Sequence, residues 1–185
     1  MRSLRCRGII TSLIVVALVL GVVGSYIIYI FSRTVSEDGI EADIKIRLGA
    51  NSSVVERVNS RGEVFALVKE SNKPGMKLII YKANQLFGSR YEYVLENFYT
   101  NDTRARSQDF GVYNVIDYID NGYENLYVIY GDNSIIKAAT VEIISEDGKI
   151  QKTLPEAQGF LYVFRSYNGD LLGNSFLDSG GNVIE

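Results

Sequence analysis

The sequence predicts a mainly β protein, with a single N-terminal transmembrane helix followed by an antiparallel, immunoglobulin-like β-sandwich. Three observations predict it. Residues 8–32 carry no charged side chain and are mostly Ile, Val, Leu and aromatics. From residue 40 onward, apolar and polar residues alternate with period two, the pattern of strands with one buried face. Gly-, Asn- and Asp-bearing turns separate these segments at ~8–12-residue intervals, the spacing of sandwiches and barrels.

The apolar helix comes first. Its 25 uncharged residues, Gly8–Ser32, exceed the ~20 that cross a ~30 Å hydrocarbon core at ~1.5 Å per residue. Tyr26, Tyr29 and Phe31 gather at its far end, where amphipathic rings favour the headgroup level. Arg2, Arg5 and Arg7 precede it without an acid, whereas Glu37, Asp38, Glu41 and Asp43 follow Arg33. The positive-inside rule therefore makes residues 1–7 a cytoplasmic tail and 8–32 the span, with everything beyond outside. The expectation is a single-pass protein of the cell membrane.

A cleaved signal peptide is the rival reading, since Ile9–Leu20 is apolar and Gly21, Gly24 and Ser25 suit a peptidase. The retained signal-anchor is preferred because Ile27, Ile28, Ile30 and Phe31 continue past any such cut, where a cleavage region is polar. Cys6 lies at the cytoplasmic edge of the span.

Residues 33–39 read as a short polar tether and 40–185 as one extracytoplasmic domain. Beyond Arg33 there are 15 basic residues against 22 acids, a net of −7. No Pro-rich, Gly/Ser-rich or repeated segment divides this region. Its strands are expected at Ile40–Leu48, Glu63–Glu70, Met76–Ala83, Arg90–Tyr99, Phe110–Ile119, Leu126–Tyr130, Ala138–Ile144, Lys149–Thr153, Phe160–Tyr167 and Ser175–Leu177. A short final Val183-Ile184 closes the chain. Lys73-Pro74-Gly75, Asp120-Asn121-Gly122 and Asn168-Gly169-Asp170 supply turns. Ser52–Asn59 and Lys82–Phe87 are candidates for a single helical turn.

Composition excludes several function classes. The chain has no histidine and one cysteine, so it has no imidazole base, no His-ligated metal, no intramolecular disulfide and no Cys-cluster zinc site. No basic excess exists to neutralise nucleic-acid phosphates. Asp117–Glu124 approximates a calcium loop, but Ile119 and Val128 stand where positions three and twelve need oxygen ligands. Ser71 and Lys73 flank an ordinary turn, and Glu92 and Glu96 lie ~13 Å apart along one strand at ~3.3 Å per residue, too far for paired carboxylates. Neither an enzyme nor a cofactor is expected.

Tyrosine is the conspicuous residue, with 13 copies and no tryptophan. Tyr113, Tyr118, Tyr123, Tyr127 and Tyr130 cluster in two successive strands and the turn between them. They suit cross-strand packing first and a recognition surface second.

The final third carries a resemblance. Leu126-Tyr-Val-Ile-Tyr-Gly-Asp-Asn, Ile136-Lys-Ala-Ala-Thr-Val-Glu-Ile, Phe160-Leu-Tyr-Val-Phe and Phe176-Leu-Asp-Ser-Gly-Gly-Asn-Val-Ile follow one another. This run, over residues 126–184, resembles uncharacterised bacterial membrane-anchored extracytoplasmic β-domain proteins. The resemblance implies a place in the cell envelope and a β-sandwich, with no activity and no functional residue attached. The expectation from sequence is thus a membrane-anchored, non-catalytic accessory domain that binds another envelope protein. The alternative is a polysaccharide- or lipid-binding module, including a lipid-transfer component of the lipopolysaccharide-export type.

Overall fold

The computed structural model describes residues 2–71, 76–97, 110–119, 122–146, 148–167 and 169–184, with backbone alone at 2–12, 95–97, 111, 113–119, 122–124 and 167. Helix α1 (Arg2–Arg33) leads directly into strand β1 (Thr34–Ser36), a 3-10 turn at Glu37–Gly39, and helix α2 (Ile40–Leu48). Four strands follow: β2 (Ser52–Ser60), β3 (Glu63–Glu70), β4 (Met76–Ala83) and β5 (Arg90–Asn97). Next come β6 (Phe110–Ile119), β7 (Gly122–Asp132) and the single-turn helix α3 (Asn133–Ile136). The described chain closes with β8 (Thr140–Ser145), β9 (Gly148–Thr153), β10 (Gly159–Tyr167) and β11 (Leu171–Leu177). The protein is mainly β, and every strand pairing among the described residues is antiparallel.

Within α1, Leu13–Arg33 is long and apolar enough to cross a membrane, and 6% of it is buried within the chain. A core helix of a soluble domain would be covered on its apolar side. Here Leu18, Leu20, Val22 and Ile28 are each more than 60% exposed, so the described residues leave this surface uncovered.

The strands form three stacked sheets, in the orders β1-β5-β4-β3-β2, β10-β7-β6 and β11-β8-β9. Phe65, Leu67, Leu78 and Ile80 of the first sheet pack on Leu126, Val128, Tyr130 and Leu161 of the second. The opposite face of the second sheet, Tyr127, Ile129, Phe160 and Phe164, packs on Val141, Ile143 and Phe176 of the third. The β10-β7-β6 sheet is thus the central layer. That position explains the uninterrupted apolar run Leu126–Ile129, because a strand covered on both faces has no wet side to carry polar residues. The free face of the first sheet is covered by α2, whose Ile40 and Ile44 meet Val64, Ala66, Ile79 and Tyr81.

The strand expected at Ile40–Leu48 is therefore corrected to a helix. Its alternating apolar residues include Ile40, Ile44 and Leu48, spaced by four, which also form one stripe of a helix. Ile40 and Ile44 are fully buried while Ile46 is 81% exposed, the opposite of what a strand would do. Asp43 and Arg47 pair one turn apart at 2.6 Å, and Gly49, at φ 104°, ends the helix. The same Asp43 accepts from the Tyr81 hydroxyl at 2.7 Å, and Arg47 lies 4.3 Å above the Tyr93 ring. These contacts pin α2 to the sheet. Burial, then the bond to Asp43, pushes the Tyr81 phenol far above its ordinary range.

Smaller corrections follow from pairing. The expected tether begins inside α1 at Arg33, and Thr34–Ser36 is ordered against Arg90–Glu92 of β5. Ser52–Ser60 is a full strand on β3, not a helical turn. Lys82 and Ala83 finish β4, and no helical turn follows them. Val183 forms only an isolated bridge to Leu177. The turns at Lys73-Pro74-Gly75 and at Asp120-Asn121 lie outside the described residues.

Arg90 joins α1 to the domain. Its Nε donates to Thr34 Oγ1 at 2.7 Å and its Nη2 to the carbonyls of Thr34 at 2.5 Å and Phe31 at 3.3 Å. The guanidinium also lies 4.2 Å from the centre of the Phe31 ring. The last carbonyls of a helix have no partner within it. Here Arg90 supplies one, and Ile30 is buried at the same junction.

Candidate functional site

The structure separates the two tyrosines of the expected recognition surface that it describes as side chains. Tyr127 and Tyr130 are both 3% exposed and point to opposite faces of the central sheet. Tyr127 accepts a hydrogen bond from the Leu171 amide at 2.7 Å, and burial pushes the Tyr130 phenol up to about 12. As surface residues these two are corrected, because adjacent layers cover both faces of β7. The side chains of Tyr113, Tyr118 and Tyr123 lie outside those described.

A more substantial site lies at the end of the domain away from α1. Strand β3 runs from Glu63, whose partner Lys82 adjoins the α1 junction, to Lys69, about 20 Å further at ~3.3 Å per residue. There the Lys69 ammonium meets the Asp132 carboxylate at 3.2 Å. Asp132 is the N-cap of α3 and accepts from the Ser134 amide and hydroxyl. Burial alone would raise its pKa, but the Ser134 bonds and Lys69 outweigh it and hold the carboxyl below its usual range.

Asn133 organises the loops beyond this cap. It is 3% exposed, and its amide donates to the carbonyls of Ala138 at 2.9 Å and Pro155 at 2.7 Å. Its side-chain oxygen accepts from the Ala138 amide at 2.9 Å. Around these bonds lies a cleft of about 490 Å³, with Ser134, Lys137, Glu156, Asp178 and Ser179 among its walls. Hydrogen bonds from the Asn182 backbone and side chain hold the Asp178 carboxyl below its usual range. The cleft thus presents one ammonium and two carboxylates on a firmly bonded frame.

Two of its walls are strained. Lys137 at φ 57° and Ala157 at φ 51° occupy the left-handed region, which costs an L-residue about 1–2 kcal/mol. Ala157→Gly is expected to raise stability by about 1 kcal/mol, read as a higher denaturant midpoint at unchanged slope. An unmoved midpoint would show that Ala157 carries no such strain.

Sequence reasoning did not find this cleft. Asp132-Asn133-Ser134 is a capping signature, but it directly follows an apolar strand. Nothing in Lys137 or Ala157 announces a positive φ. The other candidates gain little from the structure: Ser71 donates to the Asn51 carbonyl at 2.7 Å, and Glu92 accepts from Asn84 at 2.7 Å. Lys73, Asp120 and Asn121 lie outside the described residues, and among those described no three potential ligands converge on a metal position. No protein-family model, curated protein or solved structure matches the chain, so the chemistry of this cleft is read from its own residues.

Proposed function

We propose that the protein is a single-pass membrane protein whose cytoplasmic tail and α1 anchor a non-catalytic accessory domain outside the cell, where it binds another envelope protein. The orientation follows from Arg2, Arg5 and Arg7 before the span and the acidic residues after it. The resemblance over residues 126–184 supports the same location. We also read the β2-β3-β4 and β7-β10 faces as the sandwich expected from sequence, with the β11-β8-β9 sheet added to its outer side.

The observation that carries the binding role is the cleft beside α3. It lies at the end of β3 opposite α1, sets a few charged groups among apolar walls, and has walls fixed by Asn133 and held in unfavourable backbone geometry, a combination common at binding sites. Its Lys137 and Glu156 suit a polar, charged segment of a partner protein.

Photo-cross-linking tests this. A photoreactive residue replacing Ser179, in full-length protein in its native membrane, is expected to give one discrete protease-sensitive adduct. The same residue replacing Leu172, which is 64% exposed on β11, is the control and should give none. Equal adducts at both positions, or none at either, would remove the cleft from the proposal. An adduct destroyed by glycosidase or extracted with solvent would favour the polysaccharide- or lipid-binding alternative.

A further inference from the structure

We propose that the loop joining β4 to β5, residues 84–89, is a second membrane contact, inserting Leu86 and Phe87 into the interfacial layer beside α1. This builds on the reading of α1 as a membrane span and adds a lipid-facing surface on the β domain itself.

Depth is the first argument. Phe87 packs edge-to-face on Phe31 with ring centres 5.4 Å apart, and Leu86 and Tyr26 line the same pocket. Tyr26 precedes Arg33 by seven residues, about 10 Å along the axis at ~1.5 Å per residue. The loop therefore lies alongside the end of the helix and not above it. Whatever depth places Tyr26, Tyr29 and Phe31 in the aromatic belt places Leu86 there too.

The chemistry of the loop fits that depth. Leu86 is 64% exposed, and Val94, lining the same pocket, is 50% exposed. A single exposed leucine is ordinary on a soluble surface, but this one is carried beside a helix whose apolar surface the described residues leave mostly bare. Part of the loop's polar surface is bonded internally. Asn84 Oδ1 accepts from the amides of Leu86 at 3.0 Å and Phe87 at 3.1 Å. The Arg90 amide donates to Phe87 O, and the Asn84 amide to Arg90 O, both at 2.7 Å. Water and headgroups of the interfacial layer can meet the remaining groups, as the hydrocarbon core could not.

Charge completes the surface. Arg33 and Arg90 form no ion pair among the described residues, their donors going to the Tyr29 hydroxyl and to Thr34 and Phe31 oxygens. Arg33, the Asp43-paired Arg47 and the carboxylate of Glu92 border a cleft of about 660 Å³ between α1 and the domain. Guanidinium groups just above an aromatic belt stand at the depth of lipid phosphates.

Lipid quenching tests the inference on the full chain. Cys6 is the only cysteine, so Cys6→Ser gives a background for single labels. An environment-sensitive fluorophore is placed at Leu86→Cys, at Leu18→Cys in the span, and at Ile150→Cys on exposed β9. Each protein is reconstituted in phosphatidylcholine–phosphatidylglycerol vesicles with acyl chains brominated at shallow or deep positions. The Leu86 label is expected to lose at least half its emission to shallow bromines and less to deep ones. The Leu18 label should follow the deep bromines, and the Ile150 label neither. A Leu86 label that behaves like Ile150 while Leu18 is quenched overturns the loop insertion and leaves the span standing. An unquenched Leu18 label overturns both. A circular dichroism spectrum matching the parent's confirms that each labelled protein is folded.

Discussion

Replacing Lys77 with methionine is expected to destabilise the domain by about 3–5 kcal/mol. Lys77 on β4 and Glu70 on β3 form an ion pair in which the two residues are 7% and 9% exposed. Removing the ammonium leaves the Glu70 carboxylate in a site that water cannot solvate, and the low effective dielectric makes that costly. The double variant Lys77→Met/Glu70→Leu should recover most of the loss, because the hydrophobic replacement removes the stranded charge as well. Denaturant unfolding of the full chain in detergent reads both results. A single variant as stable as the parent would mean that the pair stabilises nothing.

Arg90→Ala is expected to have the second large effect, about 2–3 kcal/mol localised at the junction, since the hydrogen bonds lost are those of a charged donor. The Thr34 residue it serves is 4% exposed, so water cannot readily replace the guanidinium. Arg90→Lys should recover little, because an ammonium lacks the planar fork that reaches Thr34 and Phe31 together and covers a ring. Hydrogen exchange distinguishes this local loss from global unfolding. The amides of Thr34–Ser36 should exchange faster by roughly 30–150-fold, at about 1.4 kcal/mol per tenfold, while those of β3 and β7 stay protected. Unchanged exchange in β1 would show that strand pairing alone holds the helix to the domain.

How much of this could be read beforehand depended on whether a residue pattern had one structural solution. β3, β4, β8 and β10 were legible within a few residues, because short apolar runs ended at turn residues, and β9 because a Gly-bearing turn set it off from β8. Ile40–Leu48 had two solutions: Ile40, Ile44 and Leu48 satisfy period two and a four-residue helical step alike. Only a sheet face offered by Val64, Ala66, Ile79 and Tyr81 decides for the helix, and that is tertiary information. The third sheet was hinted at by Leu126–Ile129, whose unbroken apolarity requires cover on both sides. The same burial takes Tyr127 and Tyr130 away from any surface. The cleft beside α3 was illegible for a different reason. It is made of backbone turns at Lys137 and Ala157, and residues forced into a conformation they disfavour leave no signature in their own identity.

The layered order of the sheets also sets a timetable for the nascent chain. The β1-β5-β4-β3-β2 sheet has all its strands once Asn97 has been synthesised, yet its inner face of Phe65, Leu67, Leu78 and Ile80 stays bare until Leu126–Tyr130 and then Leu161 arrive. β10 reaches its place beside β7 only after β8 and β9 have been made for another layer. Such non-local pairing is slow, and an apolar sheet face that waits in the open is prone to aggregate. If α1 is the export anchor proposed above, that face emerges one molecule at a time, next to a membrane and away from other copies of itself. On this view the anchor contributes to folding as well as to location: released from the membrane, the same sequence would meet its own unfinished sheets at bulk concentration.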